Sequence, residues 1–185
     1  LQITHGEYEI AFNEFSLSAD KDVTFTYDPA TGMAYHNGSD VKVETKNIYY
    51  TTKDLDYKDP FGAVATGEEV TFAITTGTDA TGVALAIRGL GAVKLEKDGE
   101  AVDGVQRWTG TTTFDNIGEY QYYFAITNGS DMVFYCDDNW NAYYKKGDYG
   151  EGGVGNPDDI FAYDLVVYEA GYETPDWMKN AVIYQ

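Results

Sequence analysis

Residues 67–76 read GEEVTFAITT, and this stretch decides the fold class of the chain. Val70, Phe72 and Ile74 recur at every second position, which places them on one face of a β-strand. No window of the sequence carries an apolar stripe at positions i, i+3, i+4 and i+7 over three helical turns. The chain is also rich in Tyr, with 17 such residues, and aromatic residues favour strands. The sequence therefore predicts an all-β protein.

Similar short runs follow at intervals of about 8–12 residues, with Gly, Asn or Asp between them. They are GVALAIRGL (82–90), AVKLEKDG (92–99), VQRWTGTTTF (105–114), GEYQYYFAITNG (118–129), DMVFYC (131–136) and IFAYDLVVY (160–168). Evenly spaced short strands with turn signals between them are typical of a β-sandwich. Trp108 lies in the middle of one run, and we expect it in the core; a second binding patch is the alternative.

Residues 137–159 interrupt the series of strands with a stretch that has neither a helical nor a strand period. This stretch reads DDNWNAYYKKGDYGEGGVGNPDD and contains five glycines. Structureless loops longer than about 12–15 residues are usually functional or disordered, and disordered segments are poor in aromatic residues. Because this stretch contains four aromatic residues, we predict an ordered surface loop that displays flat rings.

The composition of this predicted loop suits a sugar-binding surface. The apolar C–H face of a pyranose packs on an aromatic ring, and amides, carboxylates and ammonium groups bind its hydroxyls. The candidate carbohydrate-binding residues are Trp140, Tyr143, Tyr144, Tyr149, Asn139 and Lys145. The alternative is a small apolar core beneath the loop, with the same rings turned inward.

The net charge of −19, from 31 acidic and 12 basic residues, argues against two classes of partner. A nucleic acid or an anionic membrane would be repelled, whereas a neutral glycan would not. The lone Cys136 cannot form an intrachain disulfide, and its place in an apolar run predicts a small buried side chain rather than a nucleophile.

The sequence carries neither a signal peptide nor an apolar run long enough to cross a bilayer. We expect an excised, monomeric piece of a longer secreted polypeptide, and therefore an extracellular location, with attachment to the cell surface left open. Asn37-Gly-Ser and Asn128-Gly-Ser match the glycosylation sequon. Since Asn-Gly is equally a tight-turn signal, we interpret both as turns.

No catalytic site is predicted. His5 and His36 lie in the N-terminal strands, without a Ser or Cys nucleophile motif nearby. No cofactor is predicted either, although one metal site stays open. The pairs Asp137–Asp138 and Asp158–Asp159 bracket the predicted loop and offer the oxygen ligands that Ca²⁺ prefers. No EF-hand spacing is present, and acidic pairs arise easily in so acidic a chain.

The N-terminal residues 1–44 contain two or three short strands. GEYEIAF (6–12) and DVTFTYD (22–28) precede the turn DPATG (28–32) and MAYH (33–36). This order resembles the C-terminal half of small starch-associated sandwich modules found upstream of pullulanase-type enzymes. The Trp-bearing insertion expected between the two strands is absent, so no binding residue follows from this resemblance. Residues 1–44 are either extra strands of the main sandwich or the tail of a preceding module.

Three later passages resemble a second family. YKDPFGAVATGEEVTFAI (57–74) is similar to the YRSPxGAVxxGxxVxLRL opening of the immunoglobulin-like N-terminal module of glycoside hydrolase family 13 enzymes, carbohydrate-binding module family 34. Lys58 replaces the usual Arg. The Trp108 strand followed by YQYYFAITNG (120–129) resembles that module's YxYxFxIxDG hairpin. TPDWMKNAVIYQ (174–185) resembles the entry to the catalytic barrel of α-amylases and pullulanases.

This resemblance implies a fold, a domain division and a function. The fold would be an immunoglobulin-like antiparallel β-sandwich over residues 45–170, followed by a linker and the first strand of a truncated barrel in 171–185. The function would be that of a non-catalytic module that binds starch-type α-1,4-glucans and maltooligosaccharides for a secreted multimodular amylase or pullulanase. Adjacent modules of the same polypeptide would be its other partners. The alternative is a structural spacer that packs on the barrel and binds no glycan.

Overall fold

The computed structural model describes residues 22–37, 41–137, 151–155, 162–171 and 173, together with two short N-terminal strands. The fourteen strands are β1 (Thr4–His5), β2 (Tyr8–Glu9), β3 (Phe25–Asp28), β4 (Met33–His36), β5 (Lys58–Asp59), β6 (Val64–Ala65), β7 (Glu69–Gly77), β8 (Gly82–Ile87), β9 (Gly91–Lys97), β10 (Val105–Thr113), β11 (Gly118–Thr127), β12 (Met132–Asp137), β13 (Gly152–Gly155) and β14 (Tyr163–Tyr168). Within these ranges no residue is helical. The described part of the chain accordingly contains no helix of the length and apolarity needed to cross a membrane.

The sheet folds over at β9 to form two layers. Residues 91–95 of β9 pair with β8, whereas Glu96 and Lys97 pair with β10. The strand order along the sheet is β13-β12-β11-β8-β9-β10-β7-β5, and every neighbouring pair in it is antiparallel. The predicted all-β antiparallel sandwich is therefore confirmed.

Strand β11 joins most of one layer. Its residues 122–127 pair with β8, and residues 124–127 pair on the other edge with β12. Its first half, residues 118–122, pairs with β14. A single strand of ten residues thus brings β8, β12 and β14 together, although they are far apart in the sequence.

The apolar residues that alternate along the sequence of β7 are buried in the core. Val70, Phe72 and Ile74 are fully buried, as the period-two pattern predicts. Strand β14 alternates along its whole length, with Tyr163 and Leu165 buried and Val166 exposed between Leu165 and Val167. Most of the buried side chains of both layers form one continuous hydrophobic cluster, and two smaller clusters lie apart from it.

Trp108 belongs to this core, so the core prediction is confirmed and the alternative of a second surface patch is wrong. Its side chain is 4% exposed, and the indole Nε1–H donates a hydrogen bond of 2.9 Å to Thr76 Oγ1. The Lys97 ammonium lies 5.4 Å from the ring centroid. The ring is therefore held both by packing and by its one polar atom.

We expect Trp108→Ala to lower the free energy of unfolding by about 3–5 kcal/mol, because it leaves a large cavity and removes the indole donor from the buried Thr76 hydroxyl, which keeps only its bond to the Gly77 carbonyl. Urea unfolding followed by circular dichroism measures this loss. Leu90→Ala is a suitable control, since Leu90 is exposed, and it should change stability by less than about 0.5 kcal/mol. Equal stability of the Trp108→Ala and Leu90→Ala variants would contradict the core assignment.

Two smaller predictions are also confirmed. Cys136 is fully buried, and burial raises the pKa of its thiol to about 11, which keeps it protonated and unreactive at neutral pH. Asn128-Gly-Ser forms the turn between β11 and β12, where Gly129 has a φ of 93° and Asn128 Oδ1 accepts a hydrogen bond from Ser130 N–H. Only Asn37 of the other Asn-Gly-Ser sequence lies within the described ranges.

The hairpin of β3 and β4 covers the outer surface of one layer. Fully buried Met33 packs there with Ala84 of β8 and Ala125 of β11. Beyond the hairpin, Asp131 binds both the Lys42 ammonium at 3.1 Å and the Val43 N–H at 3.2 Å. These contacts attach part of the N-terminal segment to the sandwich. The predicted boundaries after residues 44 and 170 stay predictions.

Candidate functional site

The six candidate residues, Asn139, Trp140, Tyr143, Tyr144, Lys145 and Tyr149, lie outside the described residues. The two ends of their segment are described. Strand β12 ends at Asp137, β13 begins at Gly152, and these two residues pair directly. Glu151 also forms an isolated bridge with Thr51. We call this paired base, formed by Asp137, Glu151 and Gly152, the neck of the 138–150 segment.

The neck corrects the prediction of an unbroken loop over residues 137–159. Gly152–Gly155 form β13 and pair with Phe134–Asp137 of β12. Three of these four residues are glycines, which have low strand propensity and no side chain, so no period-two pattern was visible. The neighbouring strand β12 supplies the pairing, and at Gly152 the space is so tight that only glycine fits.

A cluster of buried tyrosines lies beneath the neck. The hydroxyls of Tyr50 and Tyr122 are 2.7 Å apart and share a hydrogen bond. The rings of Tyr122 and Tyr163 stack with centroids 5.3 Å apart, and Tyr50 meets Tyr163 edge-on at 4.9 Å. Tyr135 of β12 is also buried in the same core cluster. These four residues, the tyrosine cluster, give the neck a rigid aromatic support.

Burial dominates the electrostatics of the tyrosine cluster. It raises the pKa of Tyr135 to about 12 and the pKa of Tyr50, Tyr122 and Tyr163 well above the ordinary value. All four hydroxyls are therefore neutral at physiological pH. A phenolate base or nucleophile is not available from this cluster at that pH.

A surface cavity of about 320 Å³ opens beside the neck. Asp137, which is itself buried at the end of β12, and Asp164 on β14 line its wall. The loop after β5 contributes Phe61, whose side chain is 61% exposed. The cavity therefore combines an accessible aromatic ring with polar groups, next to the start of the segment predicted to bind sugar.

Lys58 organises the loop that carries Phe61. Its ammonium is buried and donates hydrogen bonds of 2.8 Å to the carbonyl oxygens of both Pro60 and Gly62. Burial lowers the Lys58 pKa to about 8, against the opposing influence of Glu68 and Asp59. At neutral pH the side chain is still mainly protonated and bridges the two carbonyls that flank Phe61.

Sequence reasoning missed Phe61 and Lys58 as site residues. Phe61 lies between Pro60 and Gly62, and an aromatic residue in such a turn is a signal of exposure that the sequence did contain. The buried role of Lys58 had no such signal, because lysine is almost never fully buried.

The calcium hypothesis stays open. Among the four aspartates proposed as ligands, Asp138, Asp158 and Asp159 lie outside the described residues, and Asp137 lines the cavity. Within the described ranges no group of three or more His, Cys, Asp or Glu side chains is arranged to hold a metal ion.

Comparisons with known proteins give a consistent picture. No protein-family model matches the chain. An amylopullulanase of Thermoanaerobacterium thermosulfurigenes is 31% identical over an alignment 187 residues long, which covers 93% of this chain and 10% of that protein. The chain is similar to a segment of amylopullulanases.

Two further amylopullulanases match over nearly the same length. The protein of Thermoanaerobacterium saccharolyticum is 30% identical, with 93% of this chain and 14% of that protein covered. The protein of Thermoanaerobacter thermohydrosulfuricus is 28% identical, with 92% of this chain and 12% of that protein covered. The chain thus spans only 10–14% of the length of these relatives. The expected resemblance to this enzyme class is confirmed, and the narrower assignment to carbohydrate-binding module family 34 stays a prediction.

Proposed function

We propose that the chain is a non-catalytic module that binds starch-type α-1,4-glucans for a secreted multimodular amylase or pullulanase. The observation that carries this proposal is the similarity to amylopullulanases over 93% of the chain but only 10% of the enzyme from Thermoanaerobacterium thermosulfurigenes. A segment so short relative to those enzymes suits an accessory role. The parent would be extracellular, and the module itself monomeric.

Glucan binding is assigned to the segment above the neck. Trp140, Tyr143 and Tyr144 would stack on sugar rings, with Tyr149 beside them. Asn139 and Lys145 would bind sugar hydroxyls. The support for this placement is the β12–β13 pairing, which anchors both ends of the segment at one edge of the sandwich. Two or three stacked rings imply a dissociation constant between roughly micromolar and millimolar.

Such a module contributes by effective concentration. A glucan held near the catalytic domain by a second site is captured in an intramolecular step, which raises overall avidity without new chemistry.

The spacer alternative has a specific observation of its own. Ile117, Val166 and Tyr168 are exposed and line one shallow apolar depression where β11 meets β14. Exposed apolar surface of this kind is common where domains pack together. In this alternative the depression would contact a neighbouring module, and the chain would bind no glucan.

Affinity electrophoresis in gels that contain amylopectin, pullulan or dextran distinguishes the two functions. We expect retardation by amylopectin and little by dextran, which lacks a continuous α-1,4 chain. Trp140→Ala should lose most of the retardation and unfold near the wild-type temperature, with partial losses for Tyr143→Ala and Tyr144→Ala. A folded wild-type chain that migrates freely in all three gels would support the spacer. Early melting of Trp140→Ala with normal binding by its folded fraction would show that these rings form a small core.

A further inference from the structure

We propose that the cavity beside Phe61 is a second glucan subsite, in which one glucose unit stacks on the Phe61 ring and hydrogen-bonds to the polar wall of the cavity. This inference rests on the proposed glucan-binding function and adds a binding position outside the 138–150 segment.

Phe61 is presented to solvent on a loop that is fixed from inside. A single exposed Phe is unremarkable by itself. Here, however, the carbonyls before and after it both accept hydrogen bonds of 2.8 Å from the buried Lys58 ammonium. Gly62 adopts a φ of 73°, a conformation that suits glycine and completes the turn. The ring is therefore preorganised, which reduces the entropy lost when a ligand binds to it.

The cavity has the size and the chemistry for one sugar unit. Its volume of about 320 Å³ lies at the lower end of the range of small-molecule sites. Two of the residues that line it, Thr52 and Asp164, have side chains that can bind sugar hydroxyls. One Asp164 oxygen accepts a hydrogen bond of 3.3 Å from Gln121, and a carboxylate retains further acceptor positions beyond that bond. A pyranose binds where an aromatic face lies beside polar groups that accept hydrogen bonds from the sugar hydroxyls.

The charge around the cavity limits the class of ligand that can bind there. Asp137 and Asp164 line the cavity of a chain whose net charge is −19. The Lys58 ammonium, which also lines the cavity, is already bonded to two carbonyls, so the acidic surroundings disfavour an anionic ligand, whereas a neutral polyol can donate a hydrogen bond to Asp164. Among sugars, a neutral unit therefore suits this cavity better than an acidic one.

The cavity lies next to Asp137, the residue after which the 138–150 segment begins. In this proposal, one glucan chain would contact both that segment and Phe61. Two contacts on one chain strengthen binding more than either alone, because the second contact is intramolecular. This predicts that Phe61 contributes more to a longer oligosaccharide than to maltose.

Titration calorimetry of the whole chain with maltoheptaose tests the subsite. We expect Phe61→Ala to weaken binding on the order of tenfold, and Phe61→Tyr to bind within about twofold of wild type, because the ring is kept. Leu55→Ala is the matched control, since Leu55 is similarly exposed at 59% and does not line the cavity; it should bind like wild type. Lys58→Met should fall between wild type and Phe61→Ala, because the ring remains but its loop is no longer held.

The outcomes separate this inference from the function on which it rests. If wild type binds no α-glucan, both fail. If wild type binds, Trp140→Ala loses binding and Phe61→Ala does not, the subsite is overturned and the proposed function stands. If Phe61→Ala and Leu55→Ala weaken binding equally, the effect is not specific to the cavity and the subsite is again overturned. If Phe61→Ala weakens glucan binding and Leu55→Ala does not, the result supports the subsite.

Discussion

The protein is expected to unfold cooperatively between about pH 10 and pH 12, driven by ionisation of the tyrosine cluster. An unfolded tyrosine loses its proton near pH 10, whereas folded Tyr135 keeps its proton to about pH 12 because it is buried. Above pH 10 the unfolded state therefore binds fewer protons than the folded state, and stability falls as the pH rises. Tyr135 alone loses about 3 kcal/mol of stabilisation by pH 12.

The other three cluster tyrosines act in the same direction, since burial raises the pKa of each. Four such losses approach the total stability of about 5–15 kcal/mol that domains possess. A pH titration that follows phenolate absorbance together with circular dichroism measures the effect. We expect a cooperative rise in absorbance that coincides with loss of the β signal, and a single step near pH 10 in concentrated urea. A native titration that matches the urea curve, with the β signal retained, would contradict the prediction.

Two other buried groups, Lys58 and Cys136, affect how stability depends on pH at and just above pH 8. The folded pKa of Lys58 is lowered to about 8, so stability rises as the pH increases from 8 towards the unfolded pKa near 10.5. The folded pKa of Cys136 is raised to about 11, so its contribution falls from about pH 9 upwards. The two effects oppose each other between pH 9 and 10.5. Stability should therefore be highest near pH 9 and fall steeply once the tyrosines ionise.

Gly152→Ala is expected to destabilise the protein by about 3 kcal/mol, at the upper end of the usual cost of overpacking. A Cβ at Gly152 would overlap the Tyr163 hydroxyl and the Cys136 carbonyl oxygen, and would come within 2.5 Å of Tyr135 Cε1. The Tyr163 ring is held by stacked Tyr122 and edge-on Tyr50, and the Cys136 carbonyl is part of the β12 backbone that pairs with β13. Neither neighbour can move without opening the neck.

Val154→Ala is the matched control for this substitution, because Val154 lies on the same strand with its side chain 44% exposed. It should cost less than about 0.5 kcal/mol. Chemical denaturation of both variants gives the comparison. Equal stabilities would show that β13 shifts freely and that Gly152 has no steric role.

A double-mutant cycle identifies the residue that Gly152 accommodates. Among the described residues the Tyr163 hydroxyl has no hydrogen-bond partner, so Tyr163→Phe alone should be neutral or slightly stabilising. Gly152→Ala combined with Tyr163→Phe should recover part of the loss, since the nearest overlapping atom is removed. Strictly additive free energies would contradict a direct contact.

One part of the candidate site is built from residues that are contiguous in the sequence, and the other from residues that are distant in it. The aromatic segment was predicted because its residues are contiguous, and its composition is readable without the fold. The Phe61 cavity was not, because its walls come from β5, β12 and β14, and no local pattern brings Lys58, Asp137 and Asp164 together. Burial of Lys58 in particular depends on two carbonyls whose position the turn sets.

The sequence by itself determined the secondary structure class and the core. Alternation in β7 placed Val70, Phe72 and Ile74 on the buried face, since a strand turns every second residue to the same side. It also placed Trp108, Cys136 and the Asn128 turn correctly, because each sits in a local pattern that the fold preserves. Only the tertiary structure decided where β13 lies and how the tyrosine cluster forms. Glycines carry no apolar period, and Tyr50, Tyr122 and Tyr163 come from distant parts of the chain, so their contacts exist only once the two layers have packed.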